Sequence, residues 1–202
     1  NKNDQALIKD KFLAKKFKKE KNLSKLNIIS NKSYQKIRHK IFNNYLNSKA
    51  NENNMPFVFE ISKKLKIKKS FFIKYLNSFK GLEHRHEIFF KKKNIVFIND
   101  SKATSFEACK YALQSNKNIY WILGGLHKKG DKFQIKKLKN NIIKSFIVGR
   151  NVKFFKDKLK DKINFKVTKT IKNTLKIIFK EIKTKSIKNI TVLLSPASAS
   201  FD

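Results

Sequence analysis

The chain predicts an α/β fold, a doubly wound and mostly parallel sheet, and three observations carry that expectation. From Ile95 onward, strand-like segments alternate with helix-like ones, the pattern of βα units. Several of the strands are apolar runs, such as Ile119-Tyr-Trp-Ile-Leu123 and, with one threonine, Ile190-Thr-Val-Leu-Leu194, as strands covered on both faces are. The character of the sequence also changes at Phe79-Lys80-Gly81, which divides the chain into residues 1–80 and 81–202.

In the first part, residues 1 to about 48 are Lys-rich with short apolar pieces. Leu26–Ser30 reads as a strand, and Ser33–Lys40 as either a strand or a short helix. Met55, Phe57, Val58, Ile61 and Leu65 recur at helical spacing over 54–66, and Phe71, Phe72, Tyr75, Leu76 and Phe79 over 70–79. Both stripes read as core faces. In the second part, Glu87–Phe90 and Asn94–Ile98 read as two strands joined by a lysine turn. Further strands are expected at 95–98, 119–123, 142–148, 163–167 and 190–194, with helices near 105–114, 133–140, 151–160 and 170–183.

Composition narrows the function classes. The chain has 202 residues, 40% of them apolar, and a formal net charge of +35. Such a charge suggests nucleic acid or an anionic membrane. Against that, the arginines are Arg38, Arg85 and Arg150 alone, and the lysines are spread along the whole chain. Base and phosphate recognition leans on the guanidinium fork, so the lysines read as a solvated coat that can still steer anionic ligands into a cleft. The single cysteine, Cys109, excludes a disulfide within the chain and reads as core. No apolar run approaches the length of a membrane-spanning helix. Both ends look cut, as in a fragment of a longer protein.

Parallel sheets bind ligands at the carboxyl ends of their strands. There the sequence places Asp100, Ser101, Lys102 and Thr104, then Gly124, Gly125 and Lys128, then Gly149 and Arg150, then Ser195, Ser198 and Ser200. Hydroxyls, lysines, a carboxylate and helix-start N–H groups suit an anionic, carboxylate-bearing ligand. Each site also has a plain structural reading. Asp100 and Ser101 can cap the next helix, Gly124-Gly125 can be a tight turn, and Pro196 can be a first-turn proline. His127 lies in a loop with no partner evident in the sequence. No phosphate-cradling GxxxxGK[ST] loop and no Cys/His cluster of zinc-binding spacing occurs.

Four strings together, Gly81-Leu-Glu-His-Arg-His-Glu87, Asn99-Asp-Ser-Lys-Ala-Thr104, Leu123-Gly-Gly125 with Lys128, and Leu194-Ser-Pro-Ala-Ser-Ala-Ser200, resemble the Mur ligases. Asn99–Thr104 is the specific string, and it points to the branch that adds D-glutamate. The likeness is good over about residues 50–202 and loose before that. It implies that residues 1–80 are the C-terminal part of a central ATP-binding domain lacking its P-loop. Residues 81–202 would be a Rossmann-like, D-glutamate-binding C-terminal domain without its last helix.

The implied activity is ATP-dependent addition of D-glutamate to UDP-N-acetylmuramoyl-L-alanine, through an acyl phosphate, in peptidoglycan synthesis. By motif position Lys102 would be catalytic, beside the transferring phosphoryl group. Thr104 and Lys128 would hold one D-glutamate carboxylate, and Ser200 with the backbone at Phe201 the other. Asn51, Asn54, Arg85 and Asp100 would contact ATP. The likeness departs from the family pattern at Ala50, where a histidine is common, at Glu83, usually proline, and at Ser198, usually Cys or Ala. Mg2+ is implied, with ligands in the absent part of the central domain and none in this fragment. The partners implied are small molecules, not nucleic acid or a membrane, for a cytoplasmic monomer, and the fragment alone is expected to be inactive. The alternatives are another Mur-type or folylpolyglutamate-type amide ligase, or a basic nucleic-acid-binding α/β domain.

Overall fold

The computed structural model describes residues 4–20, 24–46, 49–184 and 187–199. The chain forms two compact units, Asn1–Lys80 and Gly81–Asp202.

In the first unit, β1 (Gln5–Ile8) and β2 (Lys25–Ile28) pair in parallel, with Gln5 opposite Lys25 and Ile8 opposite Ile28. Parallel neighbours need a crossover of a dozen or more residues, and α1 (Lys11–Lys19) lies within it. Asp10 starts that helix, its carboxylate accepting the Leu13 N–H at 2.8 Å. Neither β1 nor α1 is expected from the sequence, because α1 buries only Ala14 and its lysines mask the helical period. Residues 33–40 resolve as a helix, α2 (Lys32–Arg38), since Tyr34 and Ile37, three apart, both turn into the core. The two expected amphipathic helices are α3 (Lys49–Lys64) and α4 (Lys69–Ser78). Met55, Phe59 and Phe72 from them pack with Tyr34, Ile37 and Ile41. The buried Asn43 amide closes the end of α4, donating to the Leu76 and Phe79 carbonyls at 2.7 and 2.6 Å.

The second unit runs β3 (Glu87–Lys92), β4 (Ile95–Asn99), α5 (Phe106–Ser115), β5 (Ile119–Gly124), β6 (Ile142–Val148), α6 (Val152–Leu159), β7 (Phe165–Lys169), α7 (Ile171–Thr184) and β8 (Ile190–Leu194). They build a six-stranded sheet in the order β3-β4-β8-β5-β6-β7. Only the β3–β4 hairpin is antiparallel; every other pair is parallel. The last strand in sequence, β8, inserts between β4 and β5.

Side chains alternate between the two faces as the pleat requires. Trp121 and Leu123 point to the face covered by α5 and α6, where Phe106, Cys109, Leu113, Phe155 and Leu159 pack. Tyr120 and Ile122 point to the opposite face, with Phe97, Phe146 and Ile178 of α7. All six residues of β5 are therefore buried, which explains its unbroken apolar run.

Two expectations are corrected. Residues 133–140 are not an α-helix: Lys136–Asn141 is a 3-10 helix. Ile135, Leu138 and Asn141 are buried at a period of three, the repeat of a 3-10 turn. The strand expected at 163–167 is β7, two residues later. The Leu159 carbonyl accepts the N–H groups of Lys162 and Ile163, holding those residues in a turn after α6. No helix among the described residues is long and apolar enough to cross a membrane.

Candidate functional site

The carboxyl ends of β4, β8 and β5 carry the loops 100–105, 195–199 and 125–135, with the β8 loop in the middle. Backbone hydrogen bonds join that middle loop to both neighbours. On the β4 side, Asp100 N–H donates to the Leu194 carbonyl at 2.8 Å and Ala197 N–H to the Ala103 carbonyl at 3.1 Å. On the β5 side, Gly124 N–H donates to the Pro196 carbonyl at 3.1 Å, while Leu126 and Ala199 exchange bonds of 2.8 and 3.0 Å. Three loops far apart in sequence thus form one continuous rim.

Side chains reinforce these joints. Ser195 is fully buried, and its hydroxyl donates to Asp100 Oδ2 at 2.7 Å. The other Asp100 oxygen accepts the His86 N–H at 3.0 Å. Burial pushes the Asp100 carboxyl above the usual carboxylate range, and the Ser195 hydroxyl, the His86 amide and the nearby His86 and Arg85 charges pull it back. The Ser195 carbonyl accepts Trp121 Nε1 at 2.8 Å. The Ser198 hydroxyl donates to the Gly124 carbonyl at 2.6 Å. Gly124-Gly125 is more than a tight turn. A Cβ on Gly124 would lie 2.0 Å from the Val148 carbonyl oxygen, and one on Gly125 would lie 2.6 Å from that of Ala199. Only glycine lets these backbones approach so closely.

The 84–87 turn belongs to the same rim. The His84 carbonyl accepts the Lys102 N–H at 3.0 Å, and Glu87 Oε2 accepts the His84 N–H at 2.9 Å. Asn99 Nδ2 lies 2.8 Å from His84 Nδ1, and Asn99 Oδ1 accepts the Ser101 N–H at 3.1 Å. His86 packs on Tyr111, ring centroids 5.3 Å apart, and burial lowers its pKa more than Asp100 raises it.

The sequence-derived site residues fare unequally. Lys102, Thr104 and Arg85 are exposed on the β4 side of the rim, and Lys128 is exposed on the β5 loop. Thr104 and Lys128 do not stand on neighbouring strands. They follow β4 and β5, which β8 separates, because the chain returns from α7 to fill the gap. Asp100 and Ser101 do not cap α5; the Ser105 hydroxyl does, accepting the Ala108 N–H at 3.3 Å. Ser195 and Ser198 turn inward as rim joints and are not offered to a ligand. Pro196 starts no helix; it lies in the turn between β8 and the Leu126–Ala199 bridge. Ser200 and Phe201 lie outside the described residues. Asn51 and Asn54 lie on α3, in the first unit, where the Asn51 amide donates to the Tyr45 carbonyl at 2.8 Å.

Two features escaped the sequence reading. His127 does have partners: its ring stacks on Phe154 at 3.8 Å, and its Nδ1 meets Asn151 Nδ2 at 2.9 Å. Asp131 Oδ2 accepts the Phe106 N–H, the first of α5, at 2.6 Å. No short-range signal pairs residues 25 apart across two loops. Cys109 is core as expected, its thiol pushed up to about 12 by burial.

Among known proteins, no family model matches the chain. Curated relatives do match. It is 37% identical over 157 residues to the UDP-N-acetylmuramoylalanine–D-glutamate ligase of Wolbachia sp. subsp. Brugia malayi, covering 78% of this chain and 31% of that protein. The chain is homologous to a Mur ligase. The ligase of the same name from Wolbachia pipientis wMel is 33% identical over the same share of each chain. The chain therefore spans about a third of the length of these Mur ligase relatives. Solved Mur ligase structures share the fold. MurF from Acinetobacter baumannii superposes with a TM-score of 0.58 at 18% identity, over 75% of this chain and 35% of that one. MurF ligase from Thermotoga maritima, in complex with ADP, gives 0.55 at 17% identity over the same shares.

Proposed function

We propose that this chain is part of an ATP-dependent ligase that joins D-glutamate to UDP-N-acetylmuramoyl-L-alanine in peptidoglycan synthesis, acting in the cytoplasm. The observation that carries the reading is the rim. The strings Asn99–Thr104, Leu123–Lys128 and Leu194–Ala199, set apart in sequence, end three adjacent strands and are hydrogen-bonded into one surface. The curated relatives' names supply the reaction. In this reading residues 1–80 are the end of the central ATP-binding domain, and residues 81–202 the amino-acid-binding domain.

In the proposed reaction ATP phosphorylates the alanyl carboxylate, the D-glutamate amine attacks the acyl phosphate, and phosphate leaves. Lys102 faces outward from the β4 loop, where an ammonium can meet the charge that develops on the transferring phosphoryl group. Arg85 adds a second exposed cation on the same side. Asp100 keeps acceptor lone pairs beyond its two existing bonds, so one can reach an ATP ribose hydroxyl. Asn51 and Asn54 are the proposed adenine contacts. Thr104 and Lys128 approach one D-glutamate carboxylate from either side of the β8 end, and Ser200 with the Phe201 backbone takes the other. Among the described residues no three His, Cys, Asp or Glu side chains gather to hold a metal ion. These residues do not fit a magnesium site.

The test uses the full reading frame to which this chain belongs. Phosphate release is followed with ATP, magnesium and UDP-N-acetylmuramoyl-L-alanine, adding D-glutamate or L-glutamate in parallel. Turnover with D-glutamate alone is expected. A folded protein that turns over with neither would overturn the proposal.

A further inference from the structure

We infer that Asp131 is a positioning residue, the tie that carries the Lys128 loop across the end of β8 and sets its distance from Thr104. The inference rests on the proposal that Thr104 and Lys128 share a D-glutamate carboxylate. Strands in a sheet lie roughly 4.8 Å apart. With β8 between them, β4 and β5 end roughly twice that distance apart, so where the flexible Lys128 ammonium stands relative to Thr104 depends on how its loop is held.

The β5 loop is tied to the start of α5. Asp131 Oδ2 accepts the N–H of Phe106 at 2.6 Å, and Phe106 opens α5 two residues after Thr104. The Asp131 N–H donates to the Lys128 carbonyl at 3.1 Å. One residue thus holds the Lys128 backbone with its amide and the Thr104 side of the rim with its carboxylate. A second contact fixes the same approach: Phe133 stacks on the Phe106 ring, centroids 4.4 Å apart and 24° from parallel. The carboxylate sits at the positive end of α5, where a first-turn N–H has no partner within the helix, so the bond is charge-assisted. Gly130, at φ +82°, turns the chain so that Asp131 can face α5. Without the tie, Lys128 stays charged and present but is no longer held toward Thr104. Displacing a binding group by about 1 Å is enough to cost up to roughly a hundredfold.

The experiment measures steady-state kinetics of the full-length protein carrying Asp131→Ala, Asp131→Asn, Lys128→Ala or Asp131→Ala with Lys128→Ala. Asp131→Ala is expected to raise the D-glutamate KM roughly ten- to hundredfold, with the ATP KM within about twofold. Asp131→Asn, which keeps an acceptor oxygen, is expected to recover part of that loss and serves if the alanine variant does not fold. In the Lys128→Ala background, Asp131→Ala adds nothing further, because it acts through Lys128. A purely structural role would instead add its loss in both backgrounds and move the KM of ATP as well, and that result overturns the inference. If Lys128→Ala raises the D-glutamate KM and Asp131→Ala does not, the inference alone falls. If Lys128→Ala leaves that KM unchanged in an active ligase, the shared-carboxylate proposal falls, and the inference with it.

Discussion

Ser195 donates its hydroxyl to the Asp100 carboxylate at 2.7 Å, joining the loop after β8 to the loop after β4 with both groups out of solvent. The bond makes Ser195, which looks like a ligand contact in sequence, part of the frame that holds the loop after β4 in place. It also predicts how the fold responds to pH.

Because burial raises the Asp100 pKa, the folded chain keeps this proton to higher pH than the unfolded chain. Below the unfolded value of about 3.9 both states are protonated and Asp100 adds no slope. Between that value and the folded one, the folded state binds more protons, so stability falls as pH rises. Above the folded value the contribution is gone. Asp100→Asn is expected to remove this slope. Ser195→Ala, which leaves the carboxylate short of a donor, is expected to extend the slope to higher pH and to cost about 1–3 kcal/mol. Urea denaturation at a series of pH values checks both, and identical profiles for wild type and Ser195→Ala would contradict the argument.

Cys109 is expected to be inert in the folded chain. Its thiol is pushed up to about 12 and lies against the Ala103 and Ser195 carbonyls. Since the thiolate is the reactive form, an alkylating reagent near neutral pH should modify the native chain orders of magnitude more slowly than the chain in urea. Equal rates would place the sulfur in solvent.

Gly124→Ala and Gly130→Ala separate steric exclusion from backbone strain. Both glycines have positive φ, +144° and +82°. At Gly124 the added Cβ meets the Val148 carbonyl at 2.0 Å, whereas at Gly130 it meets nothing within 4 Å. Gly130→Ala is expected to cost about 1–2 kcal/mol from the left-handed backbone alone. Gly124→Ala is expected to cost more than that, because β5 and β6 must part. Thermal unfolding of the two variants gives the comparison.

Thr104→Ala and Lys128→Ala in the intact ligase are expected to raise the D-glutamate KM and leave the melting temperature nearly unchanged, since both side chains are exposed. Losing a charge-assisted bond in a closed site costs about 2–4 kcal/mol of transition-state stabilisation. A variant with an unaltered D-glutamate KM removes its residue from the clamp.

The second unit was readable because its strands are buried on both faces and its helices on one. Ile119–Leu123 and Ile190–Leu194 are short, largely apolar runs of strand length, as strands covered on both faces carry. The Lys136–Asn141 turn misled because a three-residue period and a helical one differ little over six residues. α1 is hidden because it buries only Ala14 and is rich in lysine, and β1 because the four residues Gln5–Ile8 are too few to set a period. At the rim, the sequence shows which residues follow which strand but not that β8 stands between β4 and β5. Strand order is a tertiary fact, and it decides which hydroxyls become joints and which face outward. The inward turn of Ser195 and Ser198, and the tie from Asp131 to Phe106, depend on that order.

Because the rim's buried polar groups bind one another while Arg85, Lys102, Thr104 and Lys128 project from it, the fold and the proposed ligand contacts rest largely on different residues. Exchanges among the projecting side chains are surface substitutions, usually within about 0.5 kcal/mol of neutral, and at Thr104 and Lys128 they would, under the proposed function, alter the amino-acid contacts without endangering the fold. Changes at Asp100, Ser195 or Gly124 have no such latitude. Divergence toward a new amino-acid substrate would be written in the first group and silent in the second.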